Sequence, residues 1–404
     1  MPASRLLYLN GSFDLSYLST PLDAYASQLR QQTLWFLPAG TSYDRIILDL
    51  DPNGEYLAYL RSLGLDPPAI ASGSNCDGLE AWPWGWNSDA VARFNRFHAS
   101  MSHPGLECVK QANSRETSVT IAALLQDRPP RSIVCYSAAE TRARIDEHPV
   151  RPLVVKPCFG NTGIGFRVIG GRTLTDKESL HVSALFNAGN PLVVVEPWLR
   201  RVADLSSRFE LGRDGSAAGL VHYRTLVTSG GAAYGMVIDP ADTLVLRHAE
   251  ELDDACRFTA RSLHERGYFG PVNIDSMVVQ DADGAQRLVP VVEINARQSV
   301  GAIALAVRQR LAPDRCFLLR TLGRPRNRLP LDYTGYLARL GSLHFDPESK
   351  TGAGCLTPLS VEDSKNYIRP HRAILFCAAK QRDELERMDR RLTEVVRGSG
   401  YINW

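Results

Sequence analysis

The chain has 404 residues, and none of its apolar runs approaches the roughly 20 residues needed to cross a bilayer as a helix. The stretch from Met1 to Leu18 carries one basic residue, Arg5, and a brief apolar run from Leu6 to Leu9, so neither a signal peptide nor an anchor is expected. Paired cysteines are missing. Cys76, Cys108, Cys135, Cys158, Cys256, Cys316, Cys355 and Cys377 stand singly, with no C-x-x-C among them. That pattern predicts neither a zinc site nor a disulfide framework, and a cytoplasmic protein with free thiols is the expectation. An excess of one charge is missing too: 46 Lys and Arg against 44 Asp and Glu leave a net +2. Nucleic-acid binding would need a clustered basic face, so no such partner is predicted. Internal repeats and low-complexity segments are absent.

What remains is ordinary soluble composition, 44% hydrophobic and 22% charged, in a chain too long for one core, so two or three lobes are expected. Over the first hundred residues, short apolar runs end in turn chemistry: Leu6–Leu9 into Asn10-Gly11, Thr33–Leu37 into Pro38-Ala39-Gly40, and Arg45–Leu48 into Asp49. With helices at Leu22–Gln32 and Glu55–Leu63 between them, they predict a small parallel α/β lobe ending near residue 105. A helix over Asn113–Gln126, N-capped by Asn113 or Ser114, opens the next region. Strands at Ser132–Tyr136, Pro152–Lys156 and Leu192–Val195 follow, with a helix at Ala138–Glu147. Antiparallel strands are predicted at Phe209–Leu211, Leu220–Val227 and Ala233–Ile238, then a long helix at Ala249–Arg266. Val272–Val279 and Leu288–Ile294 form a hairpin around Asp281–Gly284. After residue 330 come a strand at Ala373–Ala378 and a charged helix at Gln381–Arg397.

Two segments carry chemistry. In Leu153-Val154-Val155-Lys156-Pro157-Cys158-Phe159-Gly160-Asn161-Thr162-Gly163-Ile164-Gly165 a strand delivers a lysine and a glycine-rich loop follows. Glycines let backbone N–H groups converge on phosphate oxygens, and a neighbouring lysine neutralises their charge. Alone, the segment also fits a tight hairpin with a surface lysine. The second segment joins Gly270-Pro271-Val272-Asn273-Ile274-Asp275 to Val291-Val292-Glu293-Ile294-Asn295-Ala296-Arg297. Side chains alternate along a strand, so Glu293 and Asn295 share one face, and Asn273 and Asp275 share a face of the neighbouring strand. The hairpin thereby gathers Asp275, Glu293 and Asn295 into an oxygen cluster that suits Mg²⁺ once nucleotide phosphates complete it. Read separately, the Glu-x-Asn pair fits a solvated edge equally well.

In this order the two segments resemble the ATP-grasp superfamily, over roughly residues 105 to 310. The resemblance implies α/β architecture with α+β lobes: a pre-grasp domain over 1–105, a two-lobed ATP-grasp domain over 106–330, and a C-terminal extension over 331–404. It implies that Lys156 holds the α- and β-phosphates and that Gly160, Asn161, Thr162, Gly163 and Gly165 form a lid over them. Val193-Val194-Val195-Glu196-Pro197-Trp198-Leu199 falls where family members read adenine, which assigns Glu196, Pro197 and Trp198 to the nucleotide, and Asp204 falls at the ribose acid. The metal ligands map onto Asp275, Glu293 and Asn295, for Mg²⁺ or in its place Mn²⁺. Arg224 sits where the family places a basic residue near the γ-phosphate. Arg297, two residues past Asn295, would point to the metal side and clamp a carboxylate. One departure is Asn113-Ser114-Arg115, where the family often has a lysine; Arg115 keeps the charge with a broader donor fork, and Lys110 is a second candidate.

Other signals are weaker. Ile47-Leu48-Asp49-Leu50-Asp51 superficially resembles the start of a haloacid-dehalogenase phosphatase, but the following Pro52-Asn53-Gly54 reads better as a turn after a strand. Trp82, Trp84 and Trp86 form either a packed aromatic wall or a wall for an acceptor substrate. His98 and His103 lack partners at metal-ligand spacing. The whole layout resembles stand-alone bacterial peptide or amino-acid ligases of specialised metabolism. The resemblance therefore implies ATP-dependent amide formation through an acyl-phosphate, from small carboxylates and amines such as amino acids or short peptides, with a homodimer allowed. Its competitors are an ATP-grasp enzyme with bicarbonate or a carrier-bound acyl group as acceptor, and an ATP sensor without turnover.

Overall fold

A computed structural model describes residues 4–18, 25–125, 132–160, 165–323, 333–363, 366–368 and 370–398. In the N-terminal lobe, strands β1 (Arg5–Tyr8), β2 (Arg45–Ile46), β3 (Ala69–Ile70) and β4 (Glu80–Pro83) form a parallel sheet in the order β3-β2-β1-β4, with helices α1 (Ala26–Gln32), α2 (Gly54–Ser62) and α3 (Ser88–Arg96). The expected strand at Thr33–Leu37 is instead a 3-10 turn, Thr33–Phe36. Its four residues are all buried, so burial on every side produced an apolar run without a strand. Asn87 caps α3 by accepting from Ala90 N, and Asn53 caps α2 through Tyr56 N.

Helices α4 (Leu106–Ala112) and α5 (Arg115–Leu125) lead to the small central lobe. Ser114 Oγ accepts from Thr117 N at 3.2 Å, so it caps α5. Strands β5 (Ile133–Cys135), β6 (Leu153–Pro157), β7 (Arg167–Ile169) and β8 (Val193–Pro197) pair antiparallel as β5-β8-β6-β7. Helices α6 (Ala138–Glu147) and α7 (Asp176–Asn187) cover one face. A capping box of Thr175 and Glu178 starts α7.

The third region is one eight-stranded sheet, containing β9 (Arg201–Leu211), β10 (Ala217–Val227), β11 (Ala233–Ile238), β12 (Gly270–Gln280), β13 (Gln286–Asn295), β14 (Cys316–Leu322) and, from the last 74 or so residues, β15 (Gly352–Cys355). A separate hairpin pairs β16 (Val361–Asp363) with β17 (Asn366–Ile368), and β18 (Ala373–Ala379) completes the large sheet. Its order is β13-β12-β9-β10-β11-β14-β18-β15. Helices α8 (Thr243–Arg247), α9 (Ala249–Glu265), α10 (Val300–Leu311), α11 (Tyr333–Leu340) and α12 (Arg382–Gly398) complete the chain. The segment assigned to an extension thus continues the large sheet through β15 and β18, and its buried Phe376 stacks on Phe317 of β14 at 5.6 Å. One core runs from Leu7, Phe36 and Tyr56 of the N-terminal lobe through Phe209 and Ile274 to Phe376, while the small lobe has its own core.

Trp82 and Trp84 pack near Phe36, at 4.9 and 6.0 Å between ring centres, and Trp86 lies 4.7 Å from His103. All eight cysteines are free thiols. No helix among the described residues is long and apolar enough to cross a membrane.

Candidate active site between the lobes

Alternation on the small sheet determines where Lys156 goes. Leu153 and Val155 of β6, with Val193 and Val195 of β8, enter the small-lobe core, so Lys156 and Glu196 fall on the other face. There they form an ion pair. Lys156 is only 8% exposed and its Nζ lies 5.4 Å from the Phe166 ring centre, which disposes of a solvated surface lysine. Gly160 lies at the cavity below; Asn161, Thr162 and Gly163 lie outside the described residues. Gly165 has φ +84, where a side chain would be strained. Pro197 ends β8, and Trp198 N donates to Pro152 O at 2.9 Å while its ring lies 5.3 Å from the Arg201 guanidinium.

On the large sheet, strand register lines up a transverse row: Glu293 on β13 opposite Asp275 on β12, Asp275 opposite Ser206 on β9, and Ser206 opposite Tyr223 on β10. Asp275 accepts from Ser206 Oγ at 2.7 Å, Asn273 Nδ2 at 3.0 Å and Asn295 Nδ2 at 3.1 Å. Burial first, and the adjacent Glu293 carboxylate second, push the Asp275 carboxyl up to about 6. Asp204, one side-chain repeat away on β9, is likewise pushed up by burial to about 6, against the pull of Arg201 at 3.2 Å and of Lys156.

Residues from other lobes grip this row. Arg115 donates to Glu293 Oε1 at 2.7 Å and to Pro157 O at 2.6 Å, so it bridges the small lobe to the large sheet. This placement gives it a carboxylate partner. Arg297 donates to Asn295 Oδ1 at 3.0 Å, to Gln298 O at 2.9 Å and to Asp14 Oδ1 at 2.7 Å, and its guanidinium lies 5.4 Å from the Trp84 ring centre. Asp14 is buried, in a 3-10 turn of the N-terminal lobe, and burial raises its carboxyl despite Arg297. Sequence reasoning missed Asp14, Ser206 and Phe166. A lone acid in Asn10-Gly11-Ser12-Phe13-Asp14 gives no local cue, whereas Ser206 was legible in principle as the same-face neighbour of Asp204.

Arg224 is the misplaced residue. Tyr223 and Thr225 face the cavity, so Arg224 between them faces away. It forms a bidentate pair with Asp242 at 2.8 and 2.6 Å. The γ-phosphate role expected for it does not go with that placement.

The converging residues line a cavity of about 260 Å³, with Lys156 and Gly160 on one side, Asp204, Asp275, Glu293 and Asn295 on the other, and Arg297 beside them. No cluster of three or more His, Cys, Asp or Glu side chains capable of holding a metal unaided occurs among the described residues. The oxygen set still fits Mg²⁺, which keeps waters and takes one or two carboxylates plus phosphates rather than an all-protein cage. Glu293 Oε2 has no protein partner among the described residues, and the two facing carboxylates repel each other, which a divalent cation would relieve.

No family model matches the sequence, and no curated protein matches it. Solved structures do match. Phosphoribosylamine–glycine ligase from Thermotoga maritima has a TM-score of 0.56 at 13% identity, covering 97% of this chain and 96% of that one. N5-carboxyaminoimidazole synthase from Aspergillus clavatus, in complex with ADP and 5-aminoimidazole ribonucleotide, has a TM-score of 0.54 at 14% identity, covering 98% and 99%. The biotin carboxylase domain dimer of 2-oxoglutarate carboxylase from Hydrogenobacter thermophilus, with MgADP, ADP and bicarbonate, has a TM-score of 0.54 at 12% identity, covering 97% and 90%. The chain has the ATP-grasp fold over essentially its whole length.

Proposed function

We propose that the protein is an ATP-dependent carboxylate–amine ligase that forms an amide or peptide bond through an acyl-phosphate, releasing ADP and phosphate. The observation that carries this reading is the convergence of a buried lysine, Gly160, two facing carboxylates and a fixed arginine on one cavity.

A carboxylate resists amine attack because oxide is a poor leaving group. Attack of its oxygen on the γ-phosphorus of ATP forms a C–O–P link and breaks the bond to the β-phosphate oxygen, releasing ADP. The amine then attacks the acyl carbon, phosphate leaves with the C–O electron pair, and the amine gives up a proton. The protein's contribution is positioning and charge neutralisation. Lys156 neutralises the α- and β-phosphates, and the Glu196–Trp198 stretch and Asp204 seat adenine and ribose. Asp275, Glu293 and Asn295 would hold Mg²⁺, which, when bound, neutralises the terminal phosphates and makes the γ-phosphorus electrophilic. Arg297, held by Asp14, orients the carboxylate. The loop beginning at Gly160 keeps water from the activated acyl group.

A second reading keeps the phosphoryl transfer but changes the acceptor, since one structure sharing the fold contains bicarbonate. The peptide-ligase reading, in specialised metabolism, is favoured by the chain's layout. A matrix of amino acids, short peptides and bicarbonate, assayed with MgATP for ADP release and by mass for products, separates them. Amide products support the ligase; ADP release with bicarbonate alone supports the second reading; tight MgATP binding without turnover on any pair supports a sensor.

A further inference from the structure

The site is longer than a nucleotide's phosphates require, and its two halves differ in chemistry. The metal ligands and the ribose acid assigned above lie on β13, β12 and β9, and Lys156 and Gly160 face them from the small lobe. The same cavity continues over β10 and β11, where Tyr223, Thr225 and Met236 line it, and is walled by Trp35 and Trp84 of the N-terminal lobe, with Arg372 also in its lining. Register makes the continuity concrete: Asp204 lies opposite Thr225, and Thr225 opposite Met236. From β12, which carries Asp275, to β11, which carries Met236, is three strand spacings, about 14 Å.

Two of the polar groups in this far half are already engaged. The Tyr223 hydroxyl donates to Asn273 Oδ1 at 2.6 Å, and Thr225 Oγ1 bonds Ser206 Oγ at 2.7 Å. Tyr223, Thr225, Met236, Trp35 and Trp84 therefore offer mainly carbon to a ligand. Every acidic residue lining the cavity, Asp204, Asp275 and Glu293, belongs to the nucleotide half, so a cationic group beside Met236, two strand spacings from Asp204, would meet no counter-charge at contact distance. Arg297 stands where the halves meet, fixed by Asp14, Asn295 and the Trp84 ring.

Resting on the ligase reading, we infer that the half of the cavity over β10 and β11 is the subsite for a carboxylate substrate bearing a large, uncharged apolar or aromatic group, with its carboxylate at Arg297. A preference for 3-phenylpropionate and hexanoate over acetate follows, and 6-aminohexanoate, which places an ammonium in the same space, is rejected.

The test measures hydroxamate formation from these four acids with MgATP and hydroxylamine, and acid binding by calorimetry with MgADP. The parent protein should favour 3-phenylpropionate over acetate in kcat/KM by about tenfold or more, the scale set by adding methylenes to an apolar pocket. Met236→Trp should bring that ratio close to one while leaving MgADP affinity within about twofold; Met236→Ala, a check against misfolding by the larger residue, should shift the preference toward bulkier acids. Equal use of all four acids by the parent protein, or an unchanged ratio in both variants, overturns the inference. A tenfold loss of MgADP affinity in Met236→Trp also overturns it, by giving the space to the nucleotide. If no acid yields hydroxamate yet 3-phenylpropionate binds and Met236→Trp abolishes binding, the subsite stands and the ligase reading falls. If neither turnover nor binding is found, the inference falls.

Discussion

On one face of the large sheet, Arg224 is clasped by Asp242, which also accepts from the N–H groups of Leu244 and Val245 at the start of α8, and His222 is held between Ser207 and Asp253. On the other face, Arg297 is held by Asp14 of the N-terminal lobe and Glu293 by Arg115, which also grips the small lobe. Both faces hold acid–arginine pairs. The first satisfies its charges with groups of its own lobe and its helices, so it is a finished structure. The second borrows partners from two other lobes and still leaves Glu293 Oε2 and a cavity open to a ligand. Ionic residues on a sheet therefore indicate a site when their partners arrive from different lobes and the set remains incomplete.

The largest expected effect breaks the inter-lobe grip. Asp14→Ala leaves Arg297 buried without its charge partner and should destabilise the fold by about 3–5 kcal/mol, the cost of breaking a buried pair from one side. Denaturant unfolding measures it; a loss below about 1 kcal/mol would place that pair with ordinary surface bridges. Glu293→Gln comes next. It removes one of two facing carboxylates and should lower turnover at saturating MgATP by about a hundredfold, comparable to losing one preorganised electrostatic group, with the unfolding midpoint as a control for the lost Arg115 pair. Near-normal turnover would remove Glu293 from the metal site.

Lys156→Ala should weaken ATP binding by about 1.5–3 kcal/mol, the range for hydrogen bonds to charged groups, or roughly tenfold and more in Kd. Equal affinity by calorimetry would leave Lys156 as merely the partner of Glu196.

The smallest effect lies on the finished face. Arg224→Met should cost about 1–2 kcal/mol of stability while leaving ATP affinity and turnover unchanged. Burial raises the Asp242 carboxyl, but the Arg224 hydrogen bond and charge and the α8 N–H groups outweigh it and hold it below its ordinary value. A carboxyl lowered on folding stabilises the protein above its unfolded pKa and loses that contribution as pH falls through its folded pKa. The stability gap between the parent protein and Arg224→Met should thus be full at neutral pH and close below about pH 4. A tenfold drop in turnover with an intact fold would return Arg224 to the active site.

Period-two alternation made Asp275, Glu293 and Asn295 legible as one cluster, because the hairpin is local and its turn is marked by Asp281–Gly284. Lys156 was legible from the strand and the glycines that follow it. Arg224 was assigned by resemblance alone, and which face of the sheet it takes depends on register with β9 and β11, which its own segment does not contain. Asp14 and the Arg115–Glu293 bond were out of reach because their partners lie 283 and 178 residues away in sequence. The tail read as an appendage because β15 and β18 gain meaning only by pairing with each other and with β14.

The most direct measurement of the central claim follows one oxygen. With a carboxylate substrate labelled with ¹⁸O, an amine and MgATP, the acyl-phosphate route carries one labelled oxygen per amide formed into inorganic phosphate, with ADP produced in equal amount. Label in AMP, or AMP as the stoichiometric nucleotide product, would contradict it.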